Sequence, residues 1–277
     1  MRADGKKLKN VDPMYKVAAH IMAKRSDAMN MITLDIPVEP VTNYLNEKRK
    51  EGKNISHLSV YIAAILHTMA EYPALNRFVV NKTIYQRNEL AVGMVVLKGG
   101  KIDSPGTMNK IFFKPGYTIF DVEDAIQKYV EENRKEENQN KTDKIINVLT
   151  GIPGIMRFAV CMFKGLDKFG LLPKAIIDAS PFHTSIVVTN LASIRTNHIY
   201  HHIYDFGTTS LALAMGNTRE VPKRKKGEIV FERCMPVGLV MDERIASGSY
   251  FAIAFRKFKK LMENPELMET PPVISEE

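Results

Sequence analysis

The sequence predicts an α/β protein, a two-layer sandwich in which a mixed β-sheet carries helices on one side. Helical patterns dominate the first half of the chain, and short strands follow one another in hairpin-like succession in the second half. The 277 residues are 45% hydrophobic and 25% charged, as in ordinary globular proteins, so a sizeable core can form. We expect a single domain over residues 1–270 and a tail at 271–277.

Hydrophobic periodicity assigns the elements of the first half. Apolar residues at helical spacing run from Leu58 to Tyr72, and Pro73 ends this helix. Residues 90–97 are nearly all apolar, which is typical of a central strand. The other segments expected here are an edge helix at 14–28, a strand at 29–37, a short helix at 39–50, strands at 77–86 and 89–98, and an amphipathic helix at 121–135.

Residues 145–181 are apolar but repeatedly interrupted by Gly and Pro, which predicts an inserted helical hairpin. Phe158 and Met162 fall on one helical face, while Arg157 and Lys164 fall on the other. Such a helix either packs on the body or on a neighbouring subunit, or makes peripheral membrane contact through residues 155–172. We favour packing, and membrane contact is the alternative.

The last strand and the last helix enclose a charged turn. Val237, Leu239 and Met241 alternate as in a half-buried strand, and beyond Gly248 aromatic residues recur at helical spacing. We expect Gly248 to adopt a positive φ in a sharp turn. Rigidly held turns such as 242–244 are where chains place reactive groups. The other C-terminal strands are expected at 185–191, 210–216 and 228–232, with a basic hairpin tip at 223–226.

The net charge of +8 is compatible with a solvated basic surface or with an anionic ligand such as a nucleotide. The basic residues are scattered apart from 223–226 and accompany no nucleic-acid-binding motif, so no nucleic-acid partner is expected. Two cysteines, Cys161 and Cys234, are typical of a reducing compartment. The charged N-terminus lacks a signal-peptide core, and a cytoplasmic location is expected.

Several short motifs occur in a fixed order: Glu71-Tyr-Pro-Ala-Leu-Asn76, Leu90-Ala-Val-Gly-Met-Val-Val, Thr184-Ser-Ile-Val-Val-Thr-Asn-Leu191, and the run from Gly227 through Asp242-Glu-Arg-Ile-Ala-Ser-Gly248 to Leu267. This order resembles the catalytic domain of dihydrolipoyl acyltransferases, the core components of 2-oxo acid dehydrogenase complexes. Those proteins are relatives of chloramphenicol acetyltransferase. The resemblance spans nearly the whole chain, and its specificity lies in the collinear set.

The resemblance implies a chloramphenicol acetyltransferase-like fold and a homotrimer with active sites between subunits. It implies transfer of an acyl group between a coenzyme A thioester and a thiol or hydroxyl, on a small molecule or a carrier. Coenzyme A or acyl-coenzyme A is then a substrate, whose binding residues stay unassigned. In the family a histidine deprotonates the acceptor and a Ser or Thr hydroxyl binds the oxyanion. A thiol with a pKa of ~8.5 needs a base that ionises near neutrality.

The catalytic turn departs from the family pattern, which reads Asp-His-Arg-x-x-Asp/Asn-Gly. Glu243 stands where the resemblance places the histidine, and Ser247 stands where it places the polar residue before glycine. Thr189 matches the oxyanion-binding hydroxyl. Glu243 serves as the base if burial in an apolar channel makes it basic enough, and otherwise it is a surface carboxylate paired with Arg244 or Arg256.

The base has alternatively moved to a histidine cluster. His198, His201 and His202 are three of the seven histidines and lie within five residues, with Asp205 close enough in sequence to orient one of them. Hydrogen-bonded loop histidines are the structural alternative. No metal site is expected, because the cluster lacks a second group of ligands.

A third hypothesis is a catalytically inactive trimeric scaffold or coenzyme A-binding relative. The sequence shows no lipoyl domain and no subunit-binding domain ahead of the catalytic segment, so no lipoyl attachment is expected in this chain. We favour an acyltransferase with Thr189 as oxyanion donor. His202, His201 and Glu243 are the candidate bases.

Overall fold

The structure, a computed structural model, describes residues 2–97, 106–134, 151 and 154–275. In these residues the strands are β1 (Gly5–Lys7), β2 (Met29–Pro37), β3 (Arg77–Val80), β4 (Thr83–Arg87), β5 (Leu90–Leu97), β6 (Gly106–Phe113), β7 (Ile186–Asn190), β8 (Leu211–Met215), β9 (Arg219–Lys225) and β10 (Glu228–Asp242). The α-helices are α1 (Pro13–Ile21), α2 (Val38–Lys50), α3 (His57–Glu71), α4 (Ile119–Arg134), α5 (Ile155–Lys168), α6 (Lys174–Ala179) and α7 (Gly248–Glu263).

The main sheet has the order β2-β10-β8-β7-β5-β6, and β9 joins it by pairing with β10. β7 lies parallel to both β5 and β8, whereas the other pairs are antiparallel, so the predicted mixed sheet is confirmed. The later half of β10 lies between β2 and β8 and is fully paired, which places the turn after it at a fixed position. A smaller sheet has the order β1-β4-β3.

One face of the main sheet is the hydrophobic core. Val237, Leu239 and Met241 of β10 point into it and are buried. In the described residues α2, α3, α4 and α7 cover this face, as predicted. The central helix α3 begins after Ser56, whose hydroxyl accepts a hydrogen bond from the Ser59 N–H at 3.1 Å.

The opposite face, here called the open face, carries Gly238 and Val240 of β10. The segment 196–207, here called the histidine segment, joins β7 to β8 and lies on this face. Its Ile203 packs against Ala212 and Val240. A Cβ atom at Gly238 would lie 2.3 Å from the main-chain oxygen of Ile199. Glycine at this position therefore lets the histidine segment touch the sheet directly.

Several sequence expectations are corrected. The single strand at 77–86 is a hairpin, because Asn81 and Lys82 both have positive φ, 47° and 60°, and form a tight turn. The helix expected at 14–28 ends at Ile21, and a 3₁₀ turn occupies 26–28. Gly248 is not in the positive-φ region but is the first residue of α7.

Strand β6 was not anticipated, because Asn109 and Lys110 interrupt its apolar pattern. It pairs along its whole length with β5 and extends the sheet beyond that strand. Parts of four expected segments lie outside the described residues: residue 98 of the strand at 89–98, residue 135 of the helix at 121–135, residues 145–150 with 152–153 of the inserted hairpin, and residues 276–277 of the tail.

A buried charged cluster joins α5 to the N-terminus. Arg2 donates hydrogen bonds to Asp4 at 2.9 Å and to Asp167 of α5 at 2.6 Å. Burial alone would raise the pKa of Asp4, but the hydrogen bonds and charge of Arg2 outweigh it and hold that pKa below its usual value. His183 lies 3.4 Å from Asp167, and burial lowers the pKa of His183. The negative charge of Asp167 is thus compensated from within the fold.

Candidate active site

A cleft of about 590 Å³ lies on the open face, and its polar groups come from Thr189, His201, Tyr204 and Lys164. Its other lining residues are apolar: Val95, Met108, Val160, Phe182, Val187 and Phe206. A hydroxyl group and an imidazole therefore line one cavity with mostly apolar walls. We call it the Thr189–His201 cleft.

Thr189 is held by the middle of the sheet. It lies on β7 opposite Ala214 of β8, and its neighbour Val188 points into the core on the other face. Alternation along a strand therefore directs Thr189, like Val187, toward the open face. The side chain is half-buried.

The histidine segment is fastened at both ends. Arg25 donates hydrogen bonds from its guanidinium to the main-chain oxygens of Tyr204 at 2.5 Å and Gly207 at 3.2 Å. The Asp205 carboxylate accepts the main-chain N–H of Arg25 at 2.6 Å. Asp205 therefore fixes the segment to Arg25. We expected Asp205 to orient a histidine, but its hydrogen bond is to the main chain of Arg25.

His201 is half-buried and its tautomer is fixed. Its Nδ1 lies 3.0 Å from the main-chain oxygen of His202, and because that oxygen can only accept, Nδ1–H must be the donor. Nε2 of a neutral His201 then carries the lone pair and can accept a proton. The His202 side chain is exposed and does not line the cleft, but it lines a much smaller cavity beside it that shares Phe182 and Tyr204 with the cleft.

His198 has a structural environment. Its Nε2 lies 2.9 Å from the hydroxyl oxygen of Thr33, and its main chain passes against Gly216. Burial, and next the charge of Arg219, lower the pKa of His198. These contacts fasten the start of the histidine segment to β2 and β8.

The charged turn after β10 is built around a buried ion pair. Asp242 accepts hydrogen bonds from Arg244 at Nε, 2.8 Å, and at Nη2, 2.7 Å, and both residues are buried. The Arg25 Nε lies 3.5 Å from the same carboxylate. Such bidentate pairs fix geometry, so Asp242 and Arg244 stabilise the turn.

Glu243 and Ser247 lie away from Thr189 within one chain. Glu243 accepts a hydrogen bond from the Asn30 amide at 2.5 Å. β10 is level with Thr189 at Gly238, and four more residues lead to Asp242, which is roughly 13 Å along the strand. Ser247 is the N-cap of α7 and accepts the Tyr250 N–H at 3.2 Å.

Sequence reasoning therefore named two residues of the cleft, Thr189 and His201, and missed Tyr204 and Lys164. Tyr204 lies within the aromatic run that surrounds the histidines, which was a usable signal. Lys164 was assigned only to the helical face opposite Phe158 and Met162. That assignment gives no information about the cleft, because only the packing of α5 brings Lys164 to its edge.

Within the described ranges, no group of three or more His, Cys, Asp or Glu side chains is arranged to hold a metal ion. In the same part of the chain, every helix is too short or too polar to traverse a bilayer.

Comparison with known proteins gives a sequence match and a fold match. Residues 183–270 match the family model of the 2-oxoacid dehydrogenases acyltransferase (catalytic domain), which is about a third of the chain. That segment contains Thr189, the histidine segment and the turn 242–248. No curated protein matches the sequence significantly.

Solved structures match almost the whole chain at low identity. The cubic core of the pyruvate dehydrogenase multienzyme complex is 11% identical, with a TM-score of 0.59 over 95% of this chain and 94% of that one. Dihydrolipoamide acetyltransferase from Azotobacter vinelandii is 9% identical, with a TM-score of 0.58 over 95% and 94%. Chloramphenicol acetyltransferase is 11% identical, with a TM-score of 0.56 over 93% and 99%.

The Azotobacter vinelandii structure was determined to examine the catalytic roles of a serine, a histidine and an asparagine, of which the last two lie four residues apart. The fold of the whole chain is that of these acyltransferases and of chloramphenicol acetyltransferase. In sequence, residues 183–270 are thus similar to the catalytic domain of the 2-oxoacid dehydrogenases acyltransferase family, and the similarity of the rest of the chain is one of fold alone.

Proposed function

We propose that the protein is an acyltransferase that moves an acyl group between a coenzyme A thioester and a thiol or hydroxyl acceptor. The main support is the Thr189–His201 cleft, which contains a proton acceptor and a hydroxyl donor on a segment matched by the family. Its apolar walls suit an acyl chain and exclude water from the thioester.

In this proposal His201 Nε2 removes the proton from the acceptor S–H or O–H as the acceptor attacks the thioester carbonyl. The carbonyl oxygen becomes an oxyanion and accepts a hydrogen bond from the Thr189 hydroxyl. The tetrahedral intermediate collapses, the bond to the coenzyme A sulfur breaks, and the departing thiolate takes the proton from the His201 imidazolium. The hydrogen bond from Nδ1 to His202 keeps the ring oriented throughout.

We propose that the base has moved from the turn to the histidine segment. Ser247 already caps α7, and the Glu243 carboxylate already binds Asn30. A carboxylate in such a polar setting is a weak base toward a thiol, whereas an imidazole ionises near neutrality. Glu243 stays the competing candidate. Its turn is far from Thr189 of the same chain, but in a trimer it could lie close to Thr189 of a neighbouring subunit.

We propose a homotrimer assembled through the open face. Met31, Val95 and Phe112 point out of this face and are 45%, 51% and 43% exposed. Burying these exposed apolar side chains against a neighbouring subunit would be favourable. The exposed Phe158 of α5 then packs on a neighbouring subunit rather than on a membrane.

The function is tested by acetyl transfer from acetyl-coenzyme A to dihydrolipoamide, other small thiols and alcohols. The molar mass of the purified protein is first measured by light scattering, and we expect the mass of three chains. Turnover with at least one acceptor, absent from a heat-inactivated sample, is the expected result. Binding of acetyl-coenzyme A without any turnover would contradict the proposal and support the inactive scaffold.

A further inference from the structure

We propose that a row of lysines leading away from the Thr189–His201 cleft binds the phosphate groups of the acyl-coenzyme A nucleotide. This inference rests on the proposed function for its substrate, but the binding site itself is testable without catalysis. The row comprises Lys164, Lys168 and Lys82, followed by Lys16, Lys9 and Lys7.

Two pockets connect these lysines to the cleft. Lys164 lines both the cleft and a second pocket of about 290 Å³, which Lys168 and Lys82 also line. Lys82 in turn lines a third pocket of about 410 Å³ together with Lys7, Lys9, Lys16 and His20. The shared residues place the three pockets side by side.

The charges in the second pocket favour an anion. Its two acidic lining residues are already engaged, Asp167 with Arg2 at 2.6 Å and Asp205 with the Arg25 main chain at 2.6 Å. Lys82, Lys164 and Lys168 have no carboxylate within ion-pair distance in the described part of the chain. The third pocket has no acidic residue among its described lining residues.

Local structure explains one of these lysines but not their convergence. Lys168 lies in the last turn of α5, where the helix dipole favours a cation. Lys82 occupies a positive-φ turn between β3 and β4, a position that Gly, Asn or Asp would fill more readily. Lysines from a helix end and from a separate hairpin tip meet in one pocket, which is an arrangement suited to a polyphosphate.

The order of groups along the ligand corresponds to the order of the pockets. In coenzyme A the reactive sulfur is separated from the phosphates by a flexible amide-containing arm without charge. With the thioester between Thr189 and His201, that arm would pass Lys164 and bring the phosphates toward Lys168 and Lys82. A lone small anion would need only one of the pockets.

The test uses Lys82→Gln, Lys168→Gln and the double variant in the purified full-length protein. Lys226→Gln is the matched control, because Lys226 is also an exposed hairpin-turn lysine with positive φ, 49°, but lies at the β9–β10 tip. Calorimetry with adenosine 3′,5′-bisphosphate measures the nucleotide site alone. We expect each single change to weaken binding about fivefold to tenfold, and Lys226→Gln to change it less than twofold.

A kinetic arm compares acetyl-coenzyme A with acetyl-pantetheine, which has the same thioester and no phosphate. The expected result is a raised KM for acetyl-coenzyme A alone. Nucleotide affinity equal to that of the parent in both lysine variants, or an equal loss with acetyl-pantetheine, would overturn the inference. If the parent transfers no acyl group but the variants lose nucleotide affinity, the lysine site is supported and the proposed function fails.

Discussion

The His201→Ala variant is expected to lose roughly 10²- to 10⁴-fold in kcat for acyl transfer, because in the proposed mechanism His201 is the group that takes the acceptor proton. The affinity for acetyl-coenzyme A should change little, since the proposed mechanism places the ring at the reacting atoms and not at the nucleotide. Stopped-flow or steady-state transfer to a thiol acceptor, with thermal unfolding as a check on the fold, measures both quantities.

His202→Ala is the matched control for that variant. It removes the neighbouring imidazole but keeps the main-chain oxygen that accepts the hydrogen bond from His201. Activity within threefold or so of the parent is expected, since an exposed side chain outside the cleft has no part in the chemistry. Equal losses in the two variants would show that the whole segment, and not His201, was disturbed.

The Gly238→Ala variant is expected to lower the free energy of unfolding by about 3 kcal/mol and to abolish most activity. The new methyl group would lie 2.3 Å from the Ile199 main-chain oxygen, so the histidine segment must move off the sheet. Denaturant unfolding measures the first effect, and acyl transfer measures the second.

Gly248→Ala is the corresponding control for the glycine variant. Gly248 opens α7, has no positive φ, and no atom lies within 4 Å of where its Cβ would be. Stability within about 0.5 kcal/mol of the parent is expected, because Ala is the better helix former. If Gly238→Ala were equally silent, the close approach of the histidine segment to the sheet would be refuted.

Much of the fold was readable from periodicity, because its main elements bury one face. The helix from Leu58 to Tyr72 and the strand through Val237 are long and strongly patterned, and both are confirmed. The hairpin at 77–86 was misassigned because its turn is Asn-Lys, without the glycine that marks such turns most strongly. β6 was missed because it contains Lys110, a charged residue that is nevertheless buried. Its ammonium group donates hydrogen bonds to the main-chain oxygens of Ile177 and His183, and periodicity cannot anticipate such partners.

The candidate site was only half predictable for a related reason. Thr189 could be predicted as a site residue from its position in the strand motif, because alternation along β7 then determines which face of the sheet it occupies. His201 and His202 are adjacent histidines, and the sequence alone does not distinguish their roles. They differ only in where an irregular segment turns each ring, which depends on Arg25, Gly216 and Gly238 far away in the chain.

The most direct test of the central claim, that Thr189 and His201 act on the same transition state, is a double-mutant cycle on kcat/KM with Thr189→Val and His201→Ala. Residues that act as a unit are strongly non-additive, so we expect the double variant to be hardly slower than His201→Ala alone. Glu243→Gln, measured alongside, should retain most of the parent rate. The account would be contradicted if the losses in kcat/KM of Thr189→Val and His201→Ala multiplied in the double variant and Glu243→Gln lost more than His201→Ala. Glu243 would then be the base.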